Sequence, residues 1–117
     1  MREREKVLLL VHMSSARKWA SKGNSEAGEL VERVEAAKRA YDRVVEFEYD
    51  PWEPDYSPEE AEFTWLGLCI FLGWENQVDV AGVQTGICIK KVRDELFRRN
   101  LWVTVLKGLI MDLGNNQ

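Results

Sequence analysis

The residues best suited to chemistry lie in the second half of the chain, where a strand-like segment leads into a cysteine. Residues 78–83 are mostly apolar and typical of a strand, and Cys88 follows after a short turn, at the start of a predicted helix. A thiol at a helix N-terminus experiences the positive end of the helix dipole. We therefore expect the pKa of Cys88 to be lowered, so that its thiolate acts as a nucleophile.

The turn before Cys88 supplies the second component of that chemistry. It consists of Val83, Gln84, Thr85, Gly86 and Ile87. The first N–H groups of a helix have no partner within the helix, and such groups stabilise the oxyanion that forms when a carbonyl carbon is attacked. The segment therefore predicts acyl transfer through a thioester on Cys88, with this turn as the oxyanion site.

The only histidine, His12, is the candidate base and follows a first apolar run at residues 7–11. A cysteine and a histidine in contact form a competent nucleophile–base pair. Glu46 and Glu48, at the end of a second strand-like run, are candidates for orienting the imidazole. The alternatives stay open: a strand-end histidine satisfied by the backbone, and solvated glutamates on an edge strand.

The elements that must position these residues alternate along the chain. Apolar or β-branched runs predict four strands, at 7–11, 44–49, 78–83 and 101–106. Helical periodicity predicts helices at 26–41 and 86–99, and a capping box of Ser57 and Glu60 starts another. The polar stretch 14–25 is predicted to be a loop, and residues 107–117 to hold at most one turn of helix.

Alternation of this kind predicts an α/β fold with parallel strands. We expect a three-layer, doubly wound, Rossmann-like sheet of about four strands in the order 2-1-3-4, forming a single domain over residues 1–117. In such sheets ligands bind beyond the carboxyl ends of the strands, where the strand order reverses. That point lies between the first and third strands, which places His12 beside the 83–88 turn.

Composition narrows the classes of partner and location. The net charge is −4 and the basic residues are interleaved with acidic ones, so no nucleic-acid partner is expected. No apolar run approaches the roughly 20 residues of a membrane span, and no signal peptide is recognised. The two cysteines make no disulfide framework, which favours a cytoplasmic location. One histidine without a Cys/His cluster predicts no metal, and no cofactor is expected.

The segment Gly82-Val83-Gln84-Thr85-Gly86-Ile87-Cys88 resembles the isochorismatase-like family of cysteine hydrolases, which includes nicotinamidases. That family has a strand ending in Gly-Val, a short turn with threonine, and then its catalytic cysteine. The following helix and strand keep the usual spacing, and Ala61-Glu62-Phe63 with the 66–72 helix matches upstream. The resemblance covers roughly residues 60–106.

This resemblance implies hydrolysis of an amide or related C–N bond, with Cys88 as nucleophile and a cis peptide bond between Val83 and Gln84. The family's triad also contains an aspartate and a lysine. His12 stands at the aspartate position, and no lysine is placed to complete the triad. We expect a shortened, divergent member in which His12 replaces the aspartate as base.

Two alternatives to an active hydrolase remain. The first is a catalytically lapsed member that serves as an oligomeric binding or scaffold protein. In the 65–74 segment more than one face of the predicted helix is apolar, and another protein surface would have to bury it. The second is a flavodoxin-like binding domain, which ranks last because no glycine-rich loop follows the first strand. The expected partners are a small-molecule substrate and further copies of the chain, as a dimer or higher homo-oligomer.

Overall fold

Four parallel strands form the centre of the computed structural model, which describes residues 4–113. They are β1 (Lys6–Val11), β2 (Arg43–Phe47), β3 (Gln77–Val83) and β4 (Val103–Met111). Their order in the sheet is β2-β1-β3-β4, and every neighbouring pair is parallel. The structure therefore confirms the α/β fold and the strand order 2-1-3-4.

Helices cover both faces of this sheet. They are α1 (Met13–Ser21), α2 (Ser25–Ala37), α3 (Pro58–Leu72) and α4 (Lys90–Arg98), and a short 3-10 turn (Lys38–Ala40) follows α2. Leu8 and Leu10 of β1 pack with α1 and α2, whereas Leu9 packs with α3 and α4. Because both faces of β1 are covered, its apolar run is continuous rather than alternating.

The predicted start of α3 is confirmed in detail. Ser57 Oγ accepts a hydrogen bond from the Glu60 backbone N–H (3.1 Å), and Glu60 Oε1 accepts one from the Ser57 backbone N–H (3.0 Å). Pro58 occupies the first helical position, where its missing N–H costs nothing. The capping box therefore sets where the chain leaves the proline-containing segment 50–56 and enters the helix.

The prediction of a loop over residues 14–25 is wrong, because α1 occupies most of this stretch. Met13 and Ala16 are buried against the sheet, and Trp19 and Ala20 are partly buried beside them. These four residues recur with helical spacing. The polar residues between them are exposed or partly buried, and their number conceals the helical pattern in the sequence.

The predicted end of the last strand is also wrong. β4 continues to Met111 instead of ending at Leu106, and the pairing with β3 shifts between Val80 and Gly82. Leu109, Ile110 and Met111 pack partly buried against the two cores. Their burial carries the strand past Lys107 and Gly108. Residues 114–117 of the predicted tail lie outside the described residues.

The outer surface of α3 stays apolar although Trp65, Leu68, Cys69 and Leu72 fill the core side. Phe63 is 82% exposed, Ile70 69% and Phe71 60%. The wide apolar surface expected from the sequence is therefore present on α3, and its outer part is uncovered in the single chain. None of the helices within residues 4–113 has both the length and the apolar character needed to cross a bilayer.

Candidate functional site

The strand order reverses between β1 and β3, and their carboxyl ends define the candidate site. Val11 pairs with Gly82 in the last part of this parallel ladder. A Cβ at position 82 would lie 2.1 Å from the Val11 carbonyl oxygen. Glycine therefore allows the two strand ends to approach closely, which brings the residues that follow β1 and β3 together.

His12 lies at this edge, between the end of β1 and the start of α1. Its backbone N–H donates to the Phe47 carbonyl oxygen (3.0 Å), which extends the contact between β1 and β2 by one residue. Its φ of 52° lies in the left-handed region, which histidine visits more often than most residues. This conformation turns the chain sharply from strand to helix, and the side chain is only 13% exposed.

Asp50 is the residue that the structure places next to the imidazole. Its Oδ1 lies 3.0 Å from His12 Nε2, and the Tyr49 carbonyl oxygen lies 3.3 Å from the same nitrogen. Trp52 stacks against the His12 ring, with centroids 6.5 Å apart. The chain after β2 thus folds back over His12 and supplies both a carboxylate and an aromatic cover.

Cys88 reaches the same place from the other side of the reversal. A π-helical turn (Thr85–Ile89) follows β3 and leads into α4, so the predicted helix at 86–99 begins with this wider turn. Cys88 is 8% exposed. Its Sγ, a ring nitrogen of His12 and a carboxylate oxygen of Asp50 all lie within 4.8 Å of one another. A thiol, an imidazole and a carboxylate therefore meet at the carboxyl edge of the sheet.

The expectation of a lowered pKa for Cys88 is wrong. Burial raises the pKa of the Cys88 thiol, and the negative charges of Asp50 and Glu53 raise it further. Backbone hydrogen bonds from Gln84 and from Cys88 itself favour the thiolate but do not compensate. The helix-start argument considered only the backbone, whereas low solvation and neighbouring carboxylates favour the protonated thiol.

The turn that was predicted as the oxyanion site divides into two sets of N–H groups. The Gly86 N–H donates to Asp112 Oδ1 (3.3 Å), and the Ile87 N–H donates to the Gln84 carbonyl oxygen (3.3 Å). The N–H groups of Gln84 and Cys88 are those that act on the thiol. The N–H groups that act on Sγ therefore belong to Gln84, near the beginning of the predicted turn, and to Cys88, which follows it.

The beginning of this turn is held by the segment that follows β4. The peptide bond between Val83 and Gln84 is cis, as the resemblance implied. The Gln84 side chain donates to the Leu113 carbonyl oxygen (3.2 Å) and accepts from the Leu113 N–H (2.5 Å). The segment after β4 thus fixes the orientation of the Gln84 side chain.

The proposed orienting role of Glu46 and Glu48 is not supported by their positions. Glu46 forms an ion pair with Arg17 (2.8 Å). Glu48 accepts hydrogen bonds from the Ser14 hydroxyl (2.6 Å) and backbone N–H (3.2 Å). Both glutamates therefore bind α1, whereas Asp50 lies beside His12.

Sequence reasoning missed Asp50, although a signal was present. Asp50 comes shortly after β2, the neighbour of β1, and the carboxyl ends of neighbouring parallel strands lie at one edge of the sheet. Glu46 and Glu48 lie within the predicted strand 44–49, whereas Asp50 lies just beyond it. Residues 50–56 contain two prolines and form no helix or strand, so no periodicity in the sequence marks Asp50.

A surface pocket opens beside the turn that carries Cys88. Its volume is about 360 Å³, within the size range of small-molecule sites. Its wall is formed by Trp52, Gly86, Ile87, Lys90, Lys91 and Asp94. A larger pocket of about 430 Å³ lies at the amino ends of the strands, around Asp42 and Arg43. We consider the smaller pocket the relevant one because Gly86 and Ile87 lead directly into Cys88.

Comparisons of the chain with protein-family models, with curated proteins and with solved structures found no match in any of the three. The functional interpretation below is therefore based on the residues of this chain and their geometry.

Proposed function

We propose that the protein is an isochorismatase-like hydrolase that acts on an amide or related C–N bond through Cys88. The observation that carries this proposal is the meeting of the Cys88 thiol, the His12 imidazole and the Asp50 carboxylate within 4.8 Å. The thiol and the imidazole have the roles of nucleophile and base in cysteine hydrolases in general, and a nearby carboxylate favours the imidazolium that forms. The neighbouring pocket of about 360 Å³ provides room for a small substrate.

Burial of the thiol determines how the nucleophile is activated. Because the pKa of Cys88 is raised, little thiolate exists before the reaction. His12 instead accepts the thiol proton as Sγ attacks the carbonyl carbon, so that proton transfer and S–C bond formation proceed together. The negatively charged Asp50 stabilises the imidazolium that results.

The second half of the reaction returns the proton. The oxyanion on the former carbonyl oxygen accepts hydrogen bonds from the N–H groups of Gln84 and Cys88. Its collapse breaks the C–N bond, the amine leaves with the proton held by His12, and a thioester remains on Cys88. Water then attacks the thioester while His12 accepts the water proton, which releases the acid and restores the thiol.

The separation of Sγ and the ring nitrogen agrees with this scheme. Sγ lies within 4.8 Å of a ring nitrogen of His12, and catalytic hydrogen bonds are often long in the absence of substrate. The left-handed conformation of His12 is a further argument, because such a conformation costs about 1–3 kcal/mol and occurs preferentially at functional sites.

The test is the rate of Cys88 alkylation by iodoacetamide as a function of pH. All proteins carry Cys69→Ala, which leaves Cys88 as the only thiol. We expect alkylation at neutral pH to be slower by about 100-fold or more in His12→Asn, because asparagine tolerates the left-handed backbone but cannot accept the proton. Equal rates with and without His12 across the pH range would exclude the proposal.

A screen of small primary amides for ammonia release follows, with Cys88→Ser as the inactive control. We expect a thioester intermediate to be trapped on Cys88 and detected by mass spectrometry. Turnover that persists in Cys88→Ser would assign the activity to another group.

A second candidate function, an oligomeric binding or scaffold protein, is favoured by the apolar outer surface of α3. Phe63, Ile70 and Phe71 lie there with more than half of their surface exposed, and such patches mark interaction sites. Sedimentation velocity at micromolar concentration tests it. An oligomer that Ile70→Lys dissociates supports this function, whereas a monomer contradicts it.

A further inference from the structure

The group formed by His12, Asp50 and Cys88 has a second chemical property besides nucleophilicity. Each residue offers one ligand atom for a metal, and among residues 4–113 no other group of three such side chains comes as close together. The donors are a ring nitrogen, a carboxylate oxygen and a sulfur. Zinc is bound by this combination of nitrogen, oxygen and sulfur, whereas magnesium and calcium prefer oxygen alone.

The distances suit a tetrahedral ion after a small adjustment. Zinc bonds of about 2.0–2.3 Å separate neighbouring ligand atoms by about 3.5 Å in a tetrahedron. His12 Nε2 and Asp50 Oδ1 are already 3.0 Å apart, and the three donor atoms lie within 4.8 Å. Cys88 approaches from a π-helical turn, and Asp50 from an irregular segment, so a shift of about 1 Å needs no change in the sheet.

An independent observation concerns the hydrogen bonding of Asp50. Its Oδ1 is a buried atom and has no hydrogen-bond partner among the described residues. The short distance to His12 Nε2 is therefore a close approach without hydrogen-bond alignment. A buried carboxylate oxygen without a partner is unfavourable, and a cation at this point would satisfy it together with the thiol and the imidazole.

We propose that His12, Asp50 and Cys88 bind Zn²⁺ with three protein ligands and one position left for water. Binding replaces the proton of the Cys88 thiol by the metal, and that proton goes to solvent. The bound ion occupies the nucleophile, so zinc acts as a reversible block of Cys88. This inference uses the residues of the proposed hydrolase but stands or fails by a separate measurement.

The experiment is a titration of the full chain with Co²⁺ under conditions that keep the cysteine thiols reduced. Binding is followed by the absorption spectrum. Tetrahedral cobalt bound to a thiolate gives a sulfur-to-cobalt charge-transfer band and visible bands, and Zn²⁺ should displace it at one ion per chain. We expect Cys88→Ser to abolish the charge-transfer band. His12→Asn and Asp50→Asn should each weaken binding by more than about 100-fold.

The control variants keep the result interpretable. Cys69→Ala leaves the three donors in place and should bind as the native chain does, and circular dichroism checks that each variant is folded. Because Asp50 lies in an irregular segment outside the sheet and helices, Asp50→Asn tests the site even if Cys88→Ser fails to fold. A charge-transfer band that survives Cys88→Ser, or no band in the native chain, would overturn the zinc site.

Alkylation of Cys88 with and without Zn²⁺ separates this inference from the hydrolase proposal. Protection by Zn²⁺, lost in Asp50→Asn, supports the metal site. Absence of protection together with a His12-dependent alkylation rate in a chelator overturns the metal site and leaves the hydrolase intact. Protection by Zn²⁺ with a rate that does not depend on His12 supports the metal site and contradicts the hydrolase.

Discussion

Replacing Gly82 with alanine is expected to destabilise the protein strongly, because this residue sets the distance between the ends of β1 and β3. The added Cβ would lie 2.1 Å from the Val11 carbonyl oxygen and 2.9 Å from the Val11 nitrogen, whereas ordinary van der Waals contacts begin at 3.4 Å. All of these atoms belong to the backbone of the central strand. Relief therefore requires β1 and β3 to separate where they are paired.

Two contributions determine the magnitude. Gly82 has a φ of +126°, and an alanine held in such a conformation costs about 1–3 kcal/mol. Separating the strand ends also breaks buried backbone hydrogen bonds. Each backbone group left without a partner costs about 1–3 kcal/mol of stability. We expect a loss of roughly 3 kcal/mol or more, a large part of the 5–15 kcal/mol typical of a domain.

Urea unfolding followed by tryptophan fluorescence measures this loss. The matched control is Gly28→Ala, since Gly28 lies within α2 and a Cβ there would meet nothing within 4 Å. That substitution should stabilise the protein by about 0.5–1 kcal/mol. The close approach of the strands is refuted if the free energy of unfolding of Gly82→Ala lies within about 1 kcal/mol of that of the native chain while the control behaves as expected.

Two further predictions concern ionisable groups. The Tyr41 hydroxyl donates to the buried Asp79 carboxylate (2.5 Å), and burial, with that carboxylate, raises the pKa of Tyr41. The folded state therefore holds this proton more tightly than the unfolded chain, so the free energy of unfolding should fall as the pH rises above about 10. In Tyr41→Phe, urea unfolding should show a free energy of unfolding lower by about 1–3 kcal/mol at neutral pH and a smaller decrease of this free energy at alkaline pH. An unchanged decrease at alkaline pH would show that Tyr41 does not cause it. Glu53→Gln should lower the pKa of Cys88 and move the alkaline limb of its alkylation profile to lower pH, whereas Glu59→Gln should not; identical profiles would show that the Glu53 charge does not act on the thiol.

Local sequence signals were sufficient for most of the secondary structure. The continuous apolar run of β1 predicted a strand covered on both faces, and the capping box at Ser57 predicted the start of α3. These features depend on residues close in the chain and on the 3.6 or 2.0 periodicity of burial. The missed helix α1 shows the limit, because its few apolar residues are separated by polar ones and became evident only where the sheet buried them.

The sequence by itself determined the alternation of strands and helices, and with it the order 2-1-3-4 and the meeting of His12 with the Cys88 turn. Only the tertiary structure decided which carboxylate joins them, since Asp50 arrives through an irregular segment whose path no periodicity describes. It also decided the direction of the Cys88 pKa shift. Burial and neighbouring charge depend on residues distant in the chain, and these reversed the expectation from the helix start alone.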